Sequence, residues 1–172
     1  TALLDPRRAF SLFRAVDCTF MDVKPLAIRA LESAHNIYEK DLEAIPAEAY
    51  AQHFGGKART VADITHEVLL VNQDILNNMR GETCMDWPEG WVTAPEDCRT
   101  KEEVLAAYRK LKDEVTSYAN GLSEEEFLGK VVTEHGETNR FERCRFMAMH
   151  MMYHSGQLNF IQTLLGDDGW NW

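Results

Sequence analysis

Apolar residues recur at steps of three and four along most of this chain, which is the period of an amphipathic α-helix. Four stretches show this pattern, and they cover residues 25–45, 60–80, 100–121 and 138–165. Helices of similar length that each carry an apolar face pack well as a bundle. The only strand candidate, KVVTEH, is short and isolated. We therefore predict an all-α fold, an antiparallel four-helix bundle.

The predicted helices carry recognisable end signals. Thr60 is followed three residues later by Asp63, and Thr100 by Glu103, so both pairs match the capping-box spacing at a helix start. Gly121 follows the third helix, where glycine commonly ends a helix. These signals fix the limits of the second and third helices independently of the apolar pattern.

Two segments lie outside the four helices. Residues 7–21 hold four spaced apolar side chains and predict a short extra N-terminal helix that caps the bundle or meets a second subunit. Residues 81–99 form a long connection that contains Trp87 and Trp91. Connections of this length are often lids or binding loops. The alternative is that the two tryptophans plug one end of the bundle.

The length of 172 residues, with 45% hydrophobic and 27% charged residues, predicts one globular domain over 1–172 with its core in 25–166. No apolar run is long enough to suggest a signal peptide or a membrane span. The four cysteines lack CxxC spacing, which fits reduced thiols. We therefore expect a cytoplasmic protein that does not engage membranes.

The formal net charge of −10 disfavours nucleic acid as a partner. Phosphate backbones are bound through clustered lysine and arginine side chains, and a strongly acidic chain repels them at long range. The basic clusters at Arg7–Arg8 and Lys57–Arg59 are short and isolated. The sequence thus predicts no nucleic-acid partner.

Histidines provide the candidate site. In the stretch MHMMYHSGQLNFIQTLLG, residues 149–166, His150 and His154 lie one helical turn apart on the predicted inward face. That spacing can bring two imidazole nitrogens onto one metal ion, although two separately hydrogen-bonded core rings have the same spacing. His66 lies in the nearly all-apolar second helix and could face the pair across the core. His35, amid polar residues, does not compete.

Two motifs carry a family resemblance. HMMYHSGQLNFIQTLLG resembles the C-terminal signature of the DinB/YfiT-like family, and ARTVADITHEVLLVN is similar to the second-helix motif of that family. The resemblance covers residues 25–166. It implies an antiparallel four-helix bundle that holds one divalent metal, nickel or zinc, through His66, His150 and His154.

Such a ligand set has a defined chemistry. Three imidazoles leave one coordination position open, as in catalytic rather than structural zinc sites. A bound metal lowers the pKa of its water to about 7. Asp63 and Gln157 are candidates for orienting the ligand rings, although a helix-dipole role for Asp63 and a rim position for Gln157 are the alternatives. Glu67 is adjacent to His66 and is therefore expected to point elsewhere.

Three functional hypotheses follow. The family resemblance implies a metal-dependent enzyme, of the thiol-dependent S-transferase or isomerase type or a hydrolase, with a small-molecule substrate or a thiol cofactor. The second hypothesis is a stress-related module that binds metal or a small molecule without turnover. The third is a structural bundle with satisfied core histidines. In the third hypothesis the bundle serves to form a dimer, and a homodimer is expected for the protein in general.

Overall fold

The computed structural model describes residues 22–133 and 136–169. The extra helix predicted over 7–21 lies outside these residues. Two short 3₁₀ turns, at Ala47–Ala49 and Glu96–Cys98, precede α2 and α3. The helices are α1 (Val23–Ala44), α2 (Val61–Arg80), α3 (Lys101–Gly121), α4 (Glu124–Leu128) and α5 (Arg140–Leu164), and the strands are β1 (Lys130–Thr133) and β2 (Gly136–Asn139). The four long helices confirm the predicted all-α four-helix bundle.

The helix starts are capped as the sequence indicates. The Thr60 side chain accepts a hydrogen bond from the backbone N–H of Asp63, and Thr100 forms a full capping box with Glu103. At the other end of α2, Gly81 adopts the left-handed conformation, φ 77°, that favours glycine. The KVVT stretch is β1, which pairs with β2 as an antiparallel hairpin between α4 and α5.

Two neighbouring helix pairs run antiparallel. The Lys24 ammonium donates to the Asn120 carbonyl at 2.8 Å, and Lys101 donates to the Ile45 carbonyl at 2.8 Å, so α1 and α3 run in opposite directions. Arg140 Nε, at the start of α5, lies 2.9 Å from the Met79 carbonyl at the end of α2. Helices α2 and α5 are therefore antiparallel neighbours.

The other two neighbouring pairs run parallel. The Tyr118 hydroxyl donates to the Met79 carbonyl at 2.7 Å, which joins the C-terminal ends of α2 and α3. Ser155 donates to Asp41, which joins the C-terminal halves of α1 and α5. Parallel α2 and α3 explain the length of residues 81–100, because this connection must return along a 20-residue helix, a path of about 30 Å.

The core is built from all four long helices. Leu42, Val68, Val115 and Leu158, one from each, are completely buried. Removing such side chains from water contributes about 2 kcal/mol each. Within the described ranges, no helix is both long and apolar enough to cross a bilayer.

Polar groups are also buried in this core. His35 is fully buried rather than on a polar face, and its Nδ1 lies 2.9 Å from the Tyr108 hydroxyl. The Tyr38 and Thr65 hydroxyls lie 3.2 Å apart. These contacts link α1 to α3 and α1 to α2 through the interior of the bundle. The described cysteines Cys84, Cys98 and Cys144 are free thiols.

Candidate metal centre

The histidine pair of α5 faces α2. His154 and His150 are one turn apart, and their Nε2 atoms lie 3.1 Å from each other. The His154 side chain is 1% exposed and that of His150 is 14% exposed. Two imidazoles thus converge on one point, as the sequence spacing predicts.

Glu67 of α2 completes the cluster. Its Oε1 lies 3.6 Å from His150 Nε2 and 3.5 Å from His154 Nε2. The ligand atoms of Glu67, His150 and His154 all lie within 4.8 Å of one another. Two imidazole nitrogens and one carboxylate oxygen form a ligand set that zinc and other divalent transition metals accept. These three residues could therefore hold a metal ion.

The cluster does not include His66. Adjacent residues on a helix point about 100° apart, and with Glu67 turned to the histidine pair the ring nitrogens of His66 lie outside the cluster. Burial lowers the pKa of His66, and the charges of Asp63 and Asp97 act in the opposite direction with a smaller effect. The expectation that Glu67 points away from the histidine pair is wrong. The run ITHEVLLV contains two adjacent candidate ligands, His66 and Glu67. Because α2 is apolar on nearly every face, its hydrophobic period does not indicate which of the two points to α5.

The protonation states suit metal binding. Burial, followed by the neighbouring His154, lowers the pKa of His150 to about 4. Burial also lowers the pKa of His154. Burial acts to raise the pKa of Glu67, but the hydrogen bond and charge of Arg59 outweigh it and leave that pKa below its ordinary value. Near neutral pH the cluster therefore presents two neutral rings and a carboxylate, which are the forms that bind metals.

Gln157 orients one of the two rings. Its Oε1 lies 2.9 Å from His154 Nδ1. In the tautomer that makes this bond, Nδ1 carries the proton and Nε2 presents its lone pair to Glu67 and His150. Gln157 therefore lines the site.

Replacing Gln157 with Ala should lower zinc affinity by roughly ten- to a hundredfold, because the loss of such an orienting partner leaves the ligand ring free to rotate. Competition with a chromogenic chelator measures this change. Gln157→Glu retains an acceptor oxygen and should preserve the affinity. Equal zinc affinity in Gln157→Ala and wild type would show that Gln157 does not support the metal site.

The long connection lies over the mouth of the site. Arg59 forms a salt bridge with Glu67, and its guanidinium carbon lies 4.8 Å from the ring centre of Trp91. Trp91 is 72% exposed, so it does not plug the end of the bundle. The Ala94 N–H donates to the Asp63 carboxylate at 2.8 Å and anchors the connection to α2.

Two cavities differ in their relation to the cluster. A cavity of about 400 Å³ adjoins it through Arg59 and Gln157. A larger groove of about 1030 Å³ lies between α1 and α5, and none of the three cluster residues lines either cavity. The smaller cavity is the one lined by Arg59 and Gln157, which contact Glu67 and His154 of the cluster.

Fold and site together define a four-helix bundle with a candidate metal centre between two antiparallel helices. The chain belongs to the DinB family, whose model matches residues 21–169. No protein of curated function matches it.

Solved structures share the fold at low sequence identity. YfiT from Bacillus subtilis, described as a probable metal-dependent hydrolase with an unusual four-helix bundle topology, is 13% identical with a TM-score of 0.64, over 83% of this chain and 87% of that one. A DinB-like protein from Bacillus cereus is 12% identical with a TM-score of 0.65, over 81% and 91%. The colibactin self-resistance protein ClbS, solved in complex with double-stranded DNA, is 22% identical with a TM-score of 0.63, over 81% and 95%.

The ClbS complex corrects one expectation from the sequence. The prediction of no nucleic-acid partner is wrong, because a protein of this fold has been crystallised with duplex DNA. The net charge of −10 describes the chain as a whole. Binding depends on the local arrangement of charges at the contact surface.

Proposed function

We propose that this protein is a metal-dependent enzyme whose Glu67, His150 and His154 hold one divalent ion per chain, zinc or nickel. The observation that carries the proposal is the convergence of Glu67 Oε1 on both histidine Nε2 atoms, at 3.6 and 3.5 Å. In this arrangement two imidazole nitrogens and a carboxylate oxygen face one position. A bound divalent ion would compensate all three groups.

Three protein ligands would leave a position open for water or a substrate atom, which favours a catalytic over a structural site. A metal in this site would supply an activated water or thiolate near neutral pH. The residues of this chain would fix the ligand geometry and bind the substrate in the adjoining cavity. We accordingly propose a hydrolase or a thiol-dependent S-transferase that acts on a small molecule.

The third ligand is tested directly by two adjacent variants. We expect Glu67→Ala to lose zinc and nickel in elemental analysis, while His66→Ala retains about one ion per chain. Retention by Glu67→Ala together with loss in His66→Ala would show that His66 is the third ligand, as the sequence motif implies. Loss in neither variant would refute a metal centre at this position.

Catalysis is tested on the metal-loaded protein. Activated esters report hydrolysis, and an electrophile offered together with a small thiol reports S-transfer. We expect turnover that disappears in His154→Ala. A protein that binds metal without turnover would instead support the non-catalytic binding module.

The likeness to ClbS supports the inclusion of duplex DNA among the ligands tested. A homodimer and a cytoplasmic location stay predictions from the sequence. Light scattering on the purified protein tests the first, and fractionation of the source cells tests the second.

A further inference from the structure

The mouth of the candidate metal centre holds a guanidinium that is nearly buried. The Arg59 side chain is 11% exposed and forms a salt bridge with Glu67, the carboxylate of the cluster. Its Nη2 lies 3.5 Å from Gln157 Oε1, and its face lies against Trp91. A guanidinium has five N–H donors, and among the described residues Glu67 and Gln157 are the side chains that accept hydrogen bonds from Arg59.

The cavity beside Arg59 is lined by basic but not by acidic side chains, although the chain as a whole is acidic. Its lining contains Lys57 and Arg59 and no carboxylate, although the whole chain carries a net charge of −10. Tyr153 and Phe160 supply aromatic surface to the same cavity. A cavity of about 400 Å³ with these walls suits a small apolar body that carries one anionic group.

We propose that Arg59 binds a carboxylate of the substrate, and that the salt bridge between Arg59 and Glu67 weakens when a metal ion occupies the cluster. This inference rests on the proposed function. Glu67 contacts Arg59 through Oε2 and faces the histidine pair through Oε1, so a metal ion on Oε1 would draw charge away from the oxygen that holds Arg59. The guanidinium, bound less strongly by Glu67, would then bind a substrate carboxylate, which matches its fork of donors. Arg59 thereby couples metal occupancy to substrate binding.

The test uses phenylacetate and its uncharged isostere phenylacetamide as probes in calorimetric titrations of the full chain. Zinc-loaded wild type should bind the acid at least about tenfold more tightly than the amide. Arg59→Gln should keep its zinc and lose this preference, and Arg59→Lys should retain part of it. The matched control is Lys57→Gln, which removes an exposed cation from the same cavity and should keep most of the preference.

A second arm separates Arg59 from the metal. Zinc-free wild type should show little preference for the acid, because Glu67 occupies the guanidinium. Zinc-free Glu67→Ala releases Arg59 without any metal. Its preference for the acid over the amide should be about tenfold greater than that of zinc-free wild type. Circular dichroism confirms that each variant is folded.

The outcomes are distinct. A preference that survives in Arg59→Gln would mean that the acid binds zinc directly, and this would overturn the proposal. Equal losses in Lys57→Gln and Arg59→Gln would indicate general electrostatics and would also overturn it. Failure of wild type to bind zinc would refute the proposed function and the coupling, while the zinc-free Glu67→Ala arm would still decide whether Arg59 receives the carboxylate.

Discussion

His154→Ala is expected to lower zinc affinity by more than about a hundredfold and to leave a folded helical bundle. The ring is nearly completely buried, and its Nε2 lies within reach of both other members of the cluster. A three-ligand site that loses one ligand can no longer compete with water for the metal. The fold should persist because the core of four long helices does not depend on the site.

Thermal melts followed by circular dichroism test this expectation, with and without chelator. Wild type loaded with zinc should melt a few degrees higher than the chelated protein because of linkage. His154→Ala should melt cooperatively and should not respond to zinc. The control is His53→Ala, which removes an exposed histidine and should behave as wild type. Collapse of wild type on chelation alone would mean a structural metal, and the enzyme proposal would lose its main support.

Acidification from pH 7 to pH 4 should cost the bundle about 3 kcal/mol through His35 alone. Burial, with a smaller contribution from Lys112 and a partial offset by Glu39, lowers the pKa of His35 to about 4. The unfolded chain binds this proton more tightly, with a pKa of about 6.5. Stability is therefore fully present above pH 6.5 and is lost as the pH falls towards 4.

Urea unfolding of the metal-free protein at pH 7 and pH 4 measures this loss. His35→Gln cannot titrate but retains polar atoms, so its free energy of unfolding should fall by about 3 kcal/mol less than that of wild type. The comparison removes the contributions of the other groups that titrate in the same range. Parallel losses in the two proteins would show that His35 is not buried in its neutral form.

The helices followed from the sequence because local signals determine them. The apolar period and the caps at Thr60 and Thr100 placed α2 and α3 within one residue of their observed limits. The parallel arrangement of α2 and α3 could not be predicted, because amphipathic stripes specify which face is buried and not which neighbour covers it. The length of the connection over 81–99 was a signal for this arrangement, but the sequence analysis interpreted it only as a lid or binding loop or as a plug.

The candidate site was predictable to the extent that one helix defines it. His150 and His154 are brought together by the geometry of α5 alone, so their spacing predicted the contact. The position of Glu67 depends on the rotation of α2 about its own axis, which tertiary packing sets. Burial of His35 depends on α3 in the same way, because its hydrogen-bond partner Tyr108 is distant in sequence.

The most direct measurement is a crystal structure grown with zinc and recorded on both sides of the zinc absorption edge. We predict an anomalous peak about 2.1 Å from Nε2 of His150 and His154 and from a Glu67 oxygen, with the remaining position held by water or a small ligand. Absence of the peak between α2 and α5, or a site closed by four protein ligands, would contradict this account.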